Sequence, residues 1–499
     1  MSKKDKVLLV LPNSRWHERR PWRIANNAAF VLTAILKHDF DFEILDANGE
    51  DLEMDQVRDR IRAISPDAVL VSAVSLEYSR QTHTTFALAR EAKPGVLTVV
   101  GGPYASLMPK RVMQDPNITY CFLGHAEHRL DDFMKLALAG DEEGIRKTEG
   151  IAYRDEGTVR VVPPPCNVVQ IKKKYGLDLT HPDYSAFDLT PYLDQEHIDF
   201  MANGPGKTFM LMSSRGCPHN CSFCANKITQ GRGIAYYDPH RILEDIDYLI
   251  ARYDINHLIF IDDLFLYDRE RVEIIIRGIG ERRKNNPKLT WHHANVSAWH
   301  LDPPLLALMR ETGCSKIIIS IESGSPRVLK ELIRKPFKLD IVPKVVKMCR
   351  DAGMDIGANF VLGMPGETWE EIRQTFRFAE EMDIDLCHFH IATPQPGTDL
   401  YHMANDQGLL PPDFSFTDER FFGYGEGFIA TDEFTPTELK VLRAYEWDRI
   451  NFKTPEKCAK VAEMYMLSPA GLEEHRRQTR RKLGLHHNED ETGRNRIRA

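Results

Sequence analysis

Three cysteines lie close together in the sequence, and their spacing indicates a metal centre. Cys217, Cys221 and Cys224 form a C-x3-C-x2-C pattern, whereas the other cysteines of the nine are scattered singly along the 499 residues. Thiolates are the preferred ligands of iron–sulfur clusters, and a cubane normally has four protein ligands. Three cysteines on one loop would leave one iron open to a small molecule. The pattern therefore predicts a [4Fe–4S] cluster with one open iron.

A zinc ion is the alternative occupant of this loop, with His219 as its fourth ligand. His219, however, lies between two of the cysteines, and no second pair of ligands stands nearby in the sequence, as it does in common structural zinc sites. Thiols without any metal are the third interpretation. The iron–sulfur interpretation is favoured over both.

The cysteine loop follows the first of six apolar runs that alternate with helical patterns over residues 206–405. The runs cover residues 209–213, 257–262, 289–294, 316–322, 356–363 and 388–392, and amphipathic helices are expected at 239–253 and 368–382. Six β/α units predict a partial TIM-like (β/α)6 barrel, whose site lies at the carboxyl ends of its strands. The cysteines lie at such an end.

The first 140 residues show the same alternation with a different set of short apolar runs. These runs cover residues 7–11, 68–74, 97–100 and 118–123, and they predict a doubly wound parallel sheet of the Rossmann-like α/β kind. Residues 141–205 break the rhythm with a hairpin-like stretch at 150–157 and three consecutive prolines at 163–165, so they are expected to form a linker. Residues 406–499 are expected to be mostly helical, with a polar tail.

The cysteine motif, with Phe223 directly before its last cysteine, resembles that of the radical S-adenosylmethionine (SAM) superfamily. Further motifs stand in the expected order at the ends of the later strands: Asp262-Asp263, Ile321-Glu-Ser-Gly324 and Leu362-Gly-Met-Pro-Gly-Glu-Thr368. The resemblance covers roughly residues 205–400. It implies that Cys217, Cys221 and Cys224 hold the cluster and that SAM is bound by Phe223, Asp262, Glu322, Gly363 and Pro365.

The first domain resembles the cobalamin-binding domain of the cobalamin-dependent radical SAM subfamily. The match rests on Val71-Ser-Ala-Val-Ser-Leu76, Gly101-Gly-Pro-Tyr104 and Gly124-His-Ala-Glu127, each after an apolar run. It implies that cobalamin is contacted by Ser72, Ser75, Leu76, Gly101, Gly102, Tyr104, Gly124 and Glu127. The Asp-x-His-x-x-Gly motif that ligates cobalt from below is missing from the domain. Ordinary tight turns or a site for another nucleotide are the alternatives.

The resemblance implies a reaction class and its cofactors. A [4Fe–4S] cluster would cleave SAM to a 5′-deoxyadenosyl radical, and methylcobalamin would methylate an unactivated carbon, or a phosphorus, of a small-molecule substrate. A cobalamin-dependent cyclase or rearrangement enzyme that transfers no methyl group is the first alternative. A non-catalytic regulator that binds zinc or cobalamin is the second.

The composition of the chain limits the classes of binding partner that are expected. The formal net charge of −8 argues against a general nucleic-acid or membrane-surface binder, because both of those partners are anionic. No apolar run approaches the roughly 20 residues that cross a bilayer, so a cytoplasmic location is expected. The class implies an external electron donor such as flavodoxin or ferredoxin. His292, His293, Trp299 and Tyr401 stand near predicted strand ends, where they would contact substrate or serve packing.

Overall fold

The computed structural model describes residues 4–19, 21, 24–193, 206–418, 421, 425–482, 487–489 and 495–497. The chain divides into two compact units. The first contains Met1–Gln195, Ser214–Pro218 and Asn226–Asp254, and the second contains Glu196–Ser213, His219–Ala225 and Ile255–Ala499. Of the three motif cysteines, Cys217 belongs to the first unit, and Cys221 and Cys224 belong to the second.

The first unit is built on a seven-stranded sheet with the order β2-β1-β3-β4-β5-β6-β7. Its strands are β1 (Lys6–Leu11), β2 (Asp41–Asp46), β3 (Ala68–Ser72), β4 (Leu97–Gly101), β5 (Tyr120–Phe122), β6 (Ile151–Asp155) and β7 (Thr158–Val162). Its helices are α1 (Asn27–Leu36), α2 (Met54–Ile64), α3 (Ser79–Ala92), α4 (Pro103–Leu107), α5 (Pro109–Val112), α6 (Leu130–Ala139), α7 (Glu142–Lys147) and α8 (Ile171–Tyr175). The first five strands are parallel, and four of them, β1, β3, β4 and β5, lie in the predicted apolar runs.

Strand β2 is the parallel strand that the sequence pattern missed. Its residues, Asp-Phe-Glu-Ile-Leu-Asp, mix charges with apolar side chains because β2 lies at the edge of the sheet and is only partly buried. The central strand β3 is buried at every residue and reads as a continuous apolar run. The hairpin expected near residues 150–157 forms as β6 and β7, and it extends the sheet through antiparallel pairing with β5.

The remaining elements of the first unit flank the cysteine loop in the sequence. Two short strands, β9 (Ser214–Arg215) and β10 (Ala235–Tyr236), pair antiparallel. The single helical turn α9 (Asn226–Thr229) lies between these two strands, and helix α10 (Pro239–Tyr253) follows β10. Helix α10 has the bounds predicted from its amphipathic pattern, and Asp238 caps its amino end by accepting a hydrogen bond from the His240 backbone.

The second unit contains the six strands predicted for the barrel. They are β8 (Thr208–Leu211), β11 (His257–Phe260), β12 (Thr290–His293), β13 (Lys316–Glu322), β14 (Asp355–Leu362) and β15 (Leu386–Ile391). All pairings are parallel, in two groups, β12-β11-β8 and β13-β14-β15. Bridges from Trp291 to Cys314 and from Val296 to Ile319 connect the groups. The six strands thus follow one another in chain order, which confirms the α/β fold class with its partial barrel.

Helices cover the outside of these strands. They are α11 (Arg269–Asn285), α12 (Pro303–Glu311), α13 (Val342–Asp351), α14 (Trp369–Glu381), α15 (Asp399–Asp406), α16 (Pro436–Asn451), α17 (Pro455–Met464) and α18 (Pro469–Lys482). Phe360 of β14, Phe389 of β15 and Phe376 of α14 stack together on the helix side. None of the helices among the described residues is long and apolar enough to cross a membrane. In the polar tail, β16 (His487–Glu489) pairs with β17 (Asn495–Ile497).

Helix α16 bonds the free edge of β15 through two side chains, Arg443, which donates to the Phe389 carbonyl, and Asn451. Asn451 is fully buried; its amide donates to the Cys387 carbonyl at 2.8 Å, and its Oδ1 accepts from the Cys387 N–H at 2.7 Å. The side chain thus takes the place of a seventh strand at this residue. The backbone groups of an edge strand need such partners when they are buried.

We expect Asn451→Ala to lower the free energy of unfolding by about 2–4 kcal/mol, because it leaves one buried donor and one buried acceptor of Cys387 unpaired. The measurement is denaturant unfolding. The control is Tyr445→Ala on the same helix, whose side chain is 62% exposed and whose loss should change stability by no more than about 0.5 kcal/mol. Equal effects of the two variants would contradict the role given to Asn451.

Candidate functional site

An open cavity lies at the carboxyl ends of the first strands in the first unit. Together with the open space at its mouth, it spans about 450 Å³. Strand β1 is flanked by β2 on one side and by β3 on the other, so the connections diverge at this point of the sheet. Ligands of open α/β sheets bind in the crevice at such a switch point. The lining residues are Leu11, Pro12, Ser14, Ile24, Asn26, Asn48, Ser72, Ala73, Val74, Tyr78, Thr82 and Tyr192.

Two of the loops singled out in the sequence contact each other beside this cavity. The Ala73 N–H donates to the Gly101 carbonyl at 2.9 Å, and the Tyr104 N–H donates to the Ala73 carbonyl at 3.3 Å. Gly102 has a φ of +89°, and a Cβ there would lie 2.8 Å from the Ala73 oxygen. Only glycine meets both conditions, so the Gly-Gly turn has a structural role in holding these loops together.

The polar groups of the predicted cobalamin residues are partly engaged with the protein. Ser72 ends β3 and lines the cavity, and the Ser75 hydroxyl accepts from the Glu77 N–H at 3.1 Å, ahead of the buried Leu76. The Tyr104 hydroxyl is 3.1 Å from His83 Nε2, and His83 Nδ1 is 2.6 Å from Asp115.

The third predicted loop follows β5. The Gly124 N–H donates to the Ser106 hydroxyl at 3.0 Å, and the Gly124 φ is +77°. Glu127 is buried and forms an ion pair with Arg215.

Sequence reasoning missed several residues of the cavity wall. Asn48, after the unpredicted β2, accepts hydrogen bonds from the backbone and hydroxyl of Ser14. Tyr192 comes from the stretch expected to be a linker, and its hydroxyl donates to Asp46 at 2.7 Å. No local pattern marks Tyr192, because its position depends on the chain returning to the end of β2.

Ser222, which follows the second cysteine of the motif, holds the cysteine loop in place. Ser222 is fully buried; its N–H donates to the Ile333 carbonyl at 2.9 Å, and its hydroxyl donates to the Leu332 carbonyl at 2.6 Å. The Ser222 carbonyl accepts from the Leu400 N–H at 2.9 Å. All three cysteine side chains are partly exposed, as ligands for a cofactor must be. Phe223 is half-buried between two of them.

Three thiols on one loop match the three protein ligands of a cubane with one open iron, because each thiolate binds a different iron atom. Across the described ranges, no group of three or more His, Cys, Asp and Glu side chains that could hold one metal ion is found.

Asp262 braces the end of the first barrel strand. Its side chain is 3% exposed and accepts two hydrogen bonds from Ser213, from the hydroxyl at 2.7 Å and from the backbone N–H at 3.1 Å. The Ser213 carbonyl in turn accepts from Arg271. Ser213 directly precedes the segment that leads into the cysteine loop, so Asp262 holds the start of that loop.

Glu322 is aimed by an irregularity at the end of β13. The register with β14 shifts between Ser320 and Glu322, and Glu322 has a φ of +74°. Bulges of this kind re-aim side chains next to functional sites. The carboxylate is 2.8 Å from Lys335 Nζ, which also donates to the Ser320 carbonyl at 2.7 Å. Both side chains are about one-tenth exposed, so a paired charge lies at this strand end. Lys335 was missed because nothing in its local sequence pairs it with Glu322.

The loop after β14 turns around a buried carboxyl group. Glu367 is fully buried, and one carboxyl oxygen accepts from the N–H groups of Gly363 at 2.7 Å and Met364 at 3.0 Å. Gly363 has a φ of +84°, and Pro365 is buried within the same turn. Burial raises the pKa of Glu367 to about 7, against the lowering effect of these two hydrogen bonds.

The four residues that stood near predicted strand ends are engaged with other side chains. His292 is buried against His257, 2.8 Å between ring nitrogens, and His293 Nε2 lies 2.8 Å from the Asp262 carbonyl. Trp299 meets His219 edge to face with 5.5 Å between ring centroids. Tyr401 joins an aromatic cluster with Phe416. The two histidines therefore serve packing, whereas Trp299 lies beside the cysteine loop.

Comparison with known proteins agrees with this geometry. Residues 211–379 match the radical SAM superfamily, and residues 23–134 match the B12 binding domain. An uncharacterised methyltransferase of Pyrococcus horikoshii is 28% identical over 414 residues, covering 81% of this chain and 84% of the relative. The cytidylyl-2-hydroxyethylphosphonate methyltransferase of Streptomyces wedmorensis is 26% identical over 503 residues, covering 91% and 92%.

A similar fold is found among solved structures. The radical SAM methyltransferase TsrM of Kitasatospora setae, with cobalamin and a [4Fe–4S] cluster bound, superposes with a TM-score of 0.70 at 19% identity. The match covers 95% of this chain and 99% of TsrM.

The chain carries a B12-binding domain followed by a radical SAM domain, and this pair defines the cobalamin-dependent radical SAM enzymes. It is an enzyme of that class. The predicted resemblance to this class is thereby confirmed. The predicted cofactors, a [4Fe–4S] cluster, SAM and cobalamin, are confirmed with it.

We expect the stability of the protein, relative to Glu367→Gln, to fall as the pH rises from about 4.5 to about 7. The folded-state pKa of Glu367 is raised, so the folded protein holds a proton that the unfolded chain releases, and ionisation disfavours folding. Glutamine keeps the acceptor for the two N–H groups and cannot ionise. The measurement is denaturant unfolding of both proteins at several pH values. A difference that stays constant across this range would contradict the raised pKa.

Proposed function

We propose that this enzyme methylates an unactivated carbon, or a phosphorus, of a small polar molecule. The observation that carries the proposal is the similarity to two methyltransferases, which extends over more than four-fifths of the chain and so includes both cofactor domains. When bound, the cluster with SAM supplies a 5′-deoxyadenosyl radical, and cobalamin supplies the methyl group. The residues of this chain then have to hold the cofactors, place the substrate and exclude water.

In this proposal Cys217, Cys221 and Cys224 hold the cluster. Phe223, Asp262, Glu322, Gly363 and Pro365 form the SAM site at the carboxyl ends of the strands. The support for it is that Asp262 and Glu367 fix the backbone at two of these ends, at Ser213 and Gly363, and that Glu322 is paired with Lys335. An amino acid with both an amino and a carboxylate group finds complementary charges at such a pair.

Cobalamin is proposed to occupy the switch-point cavity and the three loops beside it. Ser72 lines the cavity, and the contact between Ala73 and Gly102 brings two of the loops together. Ser75, Leu76, Gly101, Tyr104 and Gly124 are the other proposed contacts. The resemblance also implied Glu127, but its buried carboxylate is paired with Arg215. The cavity has a lining that is mainly apolar with a few polar groups, as is usual for cofactor sites.

The inner face of the barrel supports a substrate with hydrogen-bonding groups. Phe360 and Phe389 stack on the helix side, so Asn359 and His390 point the opposite way, because side chains alternate along a strand. Asn359 is paired in register with His388, and the His388 and His390 rings lie parallel with 6.3 Å between centroids. Burial lowers the pKa of His388 to about 4, so it is a neutral hydrogen-bonding group.

Two features of the proposal concern the surroundings of the enzyme. Reduction of the cluster would use an external electron donor such as flavodoxin or ferredoxin, in the cytoplasm.

The domains are proposed as residues 1–140 for cobalamin, 141–205 for the linker, 206–405 for the barrel and 406–499 for the C-terminal region.

The function is tested by anaerobic reconstitution followed by incubation with SAM, cobalamin, a reductant and candidate small molecules, including hydroxyethylphosphonate conjugates. A product heavier by one CH2 unit supports methyl transfer. A converted product without that gain would support the cyclase or rearrangement alternative and overturn methyl transfer. Uptake of zinc without any cleavage of SAM would overturn the proposed enzymatic activity.

We expect Cys217→Ala to abolish both the cluster absorbance and the release of 5′-deoxyadenosine, because the cubane loses one of three protein ligands. Iron and sulfide analysis and product chromatography measure the two effects. Cys458→Ala, outside the motif, should retain both. Full SAM cleavage by the Cys217 variant would contradict the assignment of the cluster.

We expect Val74→Trp to weaken cobalamin binding by at least about tenfold, because the larger side chain fills part of the lined cavity. Binding is measured by absorbance titration of the full chain. Glu91→Trp places the same side chain on the exposed face of α3 and should leave the affinity unchanged. Equal affinity in the two variants would move the cobalamin site away from the cavity.

A further inference from the structure

Glu127 is the most deeply buried acidic group of the loops proposed to bind cobalamin. Its side chain is 1% exposed, and it forms an ion pair with Arg215, which is 18% exposed. The two residues are 88 positions apart in the sequence, yet both belong to the first unit. The carboxylate therefore faces a protein cation, and this contact leads directly to the segment that carries Cys217.

Arg215 uses its guanidinium group on several partners at once. Besides Glu127, its Nε donates to Gln230 Oε1 at 3.3 Å, and it also bonds the hydroxyl of the buried Tyr237. The planar guanidinium with its fixed donors is suited to such simultaneous bonding. The Arg215 side chain is consequently fixed by three partners.

The chain between Arg215 and Cys217 has little freedom of its own. Arg215 is paired with Ala235 in the β9–β10 ribbon, and the Cys217 carbonyl accepts from the Gly233 N–H at 3.2 Å. Gly216 between them has a φ of +94°, and a Cβ there would lie 2.6 Å from both the Gly233 oxygen and a Val169 methyl group. A displacement of Arg215 is therefore transmitted to Cys217.

Removing one partner of a buried ion pair has a larger effect on the local structure than removing one partner of an exposed pair. When one partner is removed, the other charge stays buried without compensation, and the local structure shifts to hydrate it. Here the structure that would shift is the first ligand segment of the cluster. An exposed pair such as Glu50–Arg60, 2.8 Å apart with both side chains close to half exposed, has no such consequence.

We propose that Glu127 is a positioning residue for the iron–sulfur cluster, acting through Arg215 on Cys217, and is not a contact of cobalamin. The proposal rests on the proposed function, since it takes Cys217 as a cluster ligand. It makes the loop after β5 a support for the cluster, so that one loop of the cobalamin domain sets the geometry of the other cofactor.

The test compares Glu127→Gln and Arg215→Gln with the wild-type chain after anaerobic reconstitution. Three quantities are measured in each protein: the rate at which a chelator removes iron, the electron paramagnetic resonance spectrum of the reduced cluster, and cobalamin occupancy by absorbance. We expect both variants to lose iron at least about fivefold faster, with an altered spectrum, because Cys217 is less firmly held. Cobalamin occupancy should stay at the wild-type level in both.

Glu50→Gln is the matched control for loss of an acidic partner from an ion pair, and it should match the wild type in all three measurements. If the single variants do not fold, Glu127→Gln/Arg215→Gln, which leaves no lone buried charge, is measured in the same way. Faster iron loss supports the proposal, and the wild-type rate overturns it.

Two results with folded variants would overturn the inference. One is loss of cobalamin by Glu127→Gln but not by Arg215→Gln, which would make Glu127 a cofactor contact. The other is unchanged iron loss and an unchanged spectrum in both variants. Failure of the wild-type chain to take up any cluster would instead overturn the proposed function, so the two failures are distinguishable.

Discussion

Parallel pairing of strands is the constraint from which the functional geometry follows. The first five strands of the first unit run the same way, and so do the six barrel strands of the second. In each set the carboxyl ends meet along one edge, and the loops that follow them converge there. The switch-point cavity lies at one of these edges. The residues Asp262, Glu322 and Gly363 lie at the other. Each unit thus gathers residues that are remote in sequence without a dedicated binding element.

Because the strand ends converge, the loops that follow them must also be fixed in direction. Buried polar side chains meet it by bonding the backbone: Asp262 at Ser213, Ser222 at the cysteine loop and Glu367 at the turn after β14. Hydrogen bonds from buried side chains to the backbone rigidify a site. The free edge of the last barrel strand is treated in the same way by Asn451.

The architecture was predictable because its signals are local. Continuous apolar runs marked four of the five parallel strands of the first sheet and all six barrel strands, and an amphipathic pattern marked α10 with its observed bounds. Strand β2 escaped because an edge strand is partly exposed and tolerates Asp41 and Glu43, while the buried Asp46 is bonded by Tyr192. The likeness of the motifs to a known class was confirmed by the comparisons, whereas the individual SAM and cobalamin contacts stay proposals.

By itself, the sequence determined the class of chemistry, because three cysteines on one loop, followed by strand-end motifs in order, are local patterns. Only the tertiary structure decided which polar groups stand together. Tyr192 at Asp46, Lys335 at Glu322 and Arg215 at Glu127 are pairs that no spacing reveals, since their partners come from other elements. Buried charges and hydroxyls require partners, but the fold alone determines where in the chain those partners lie.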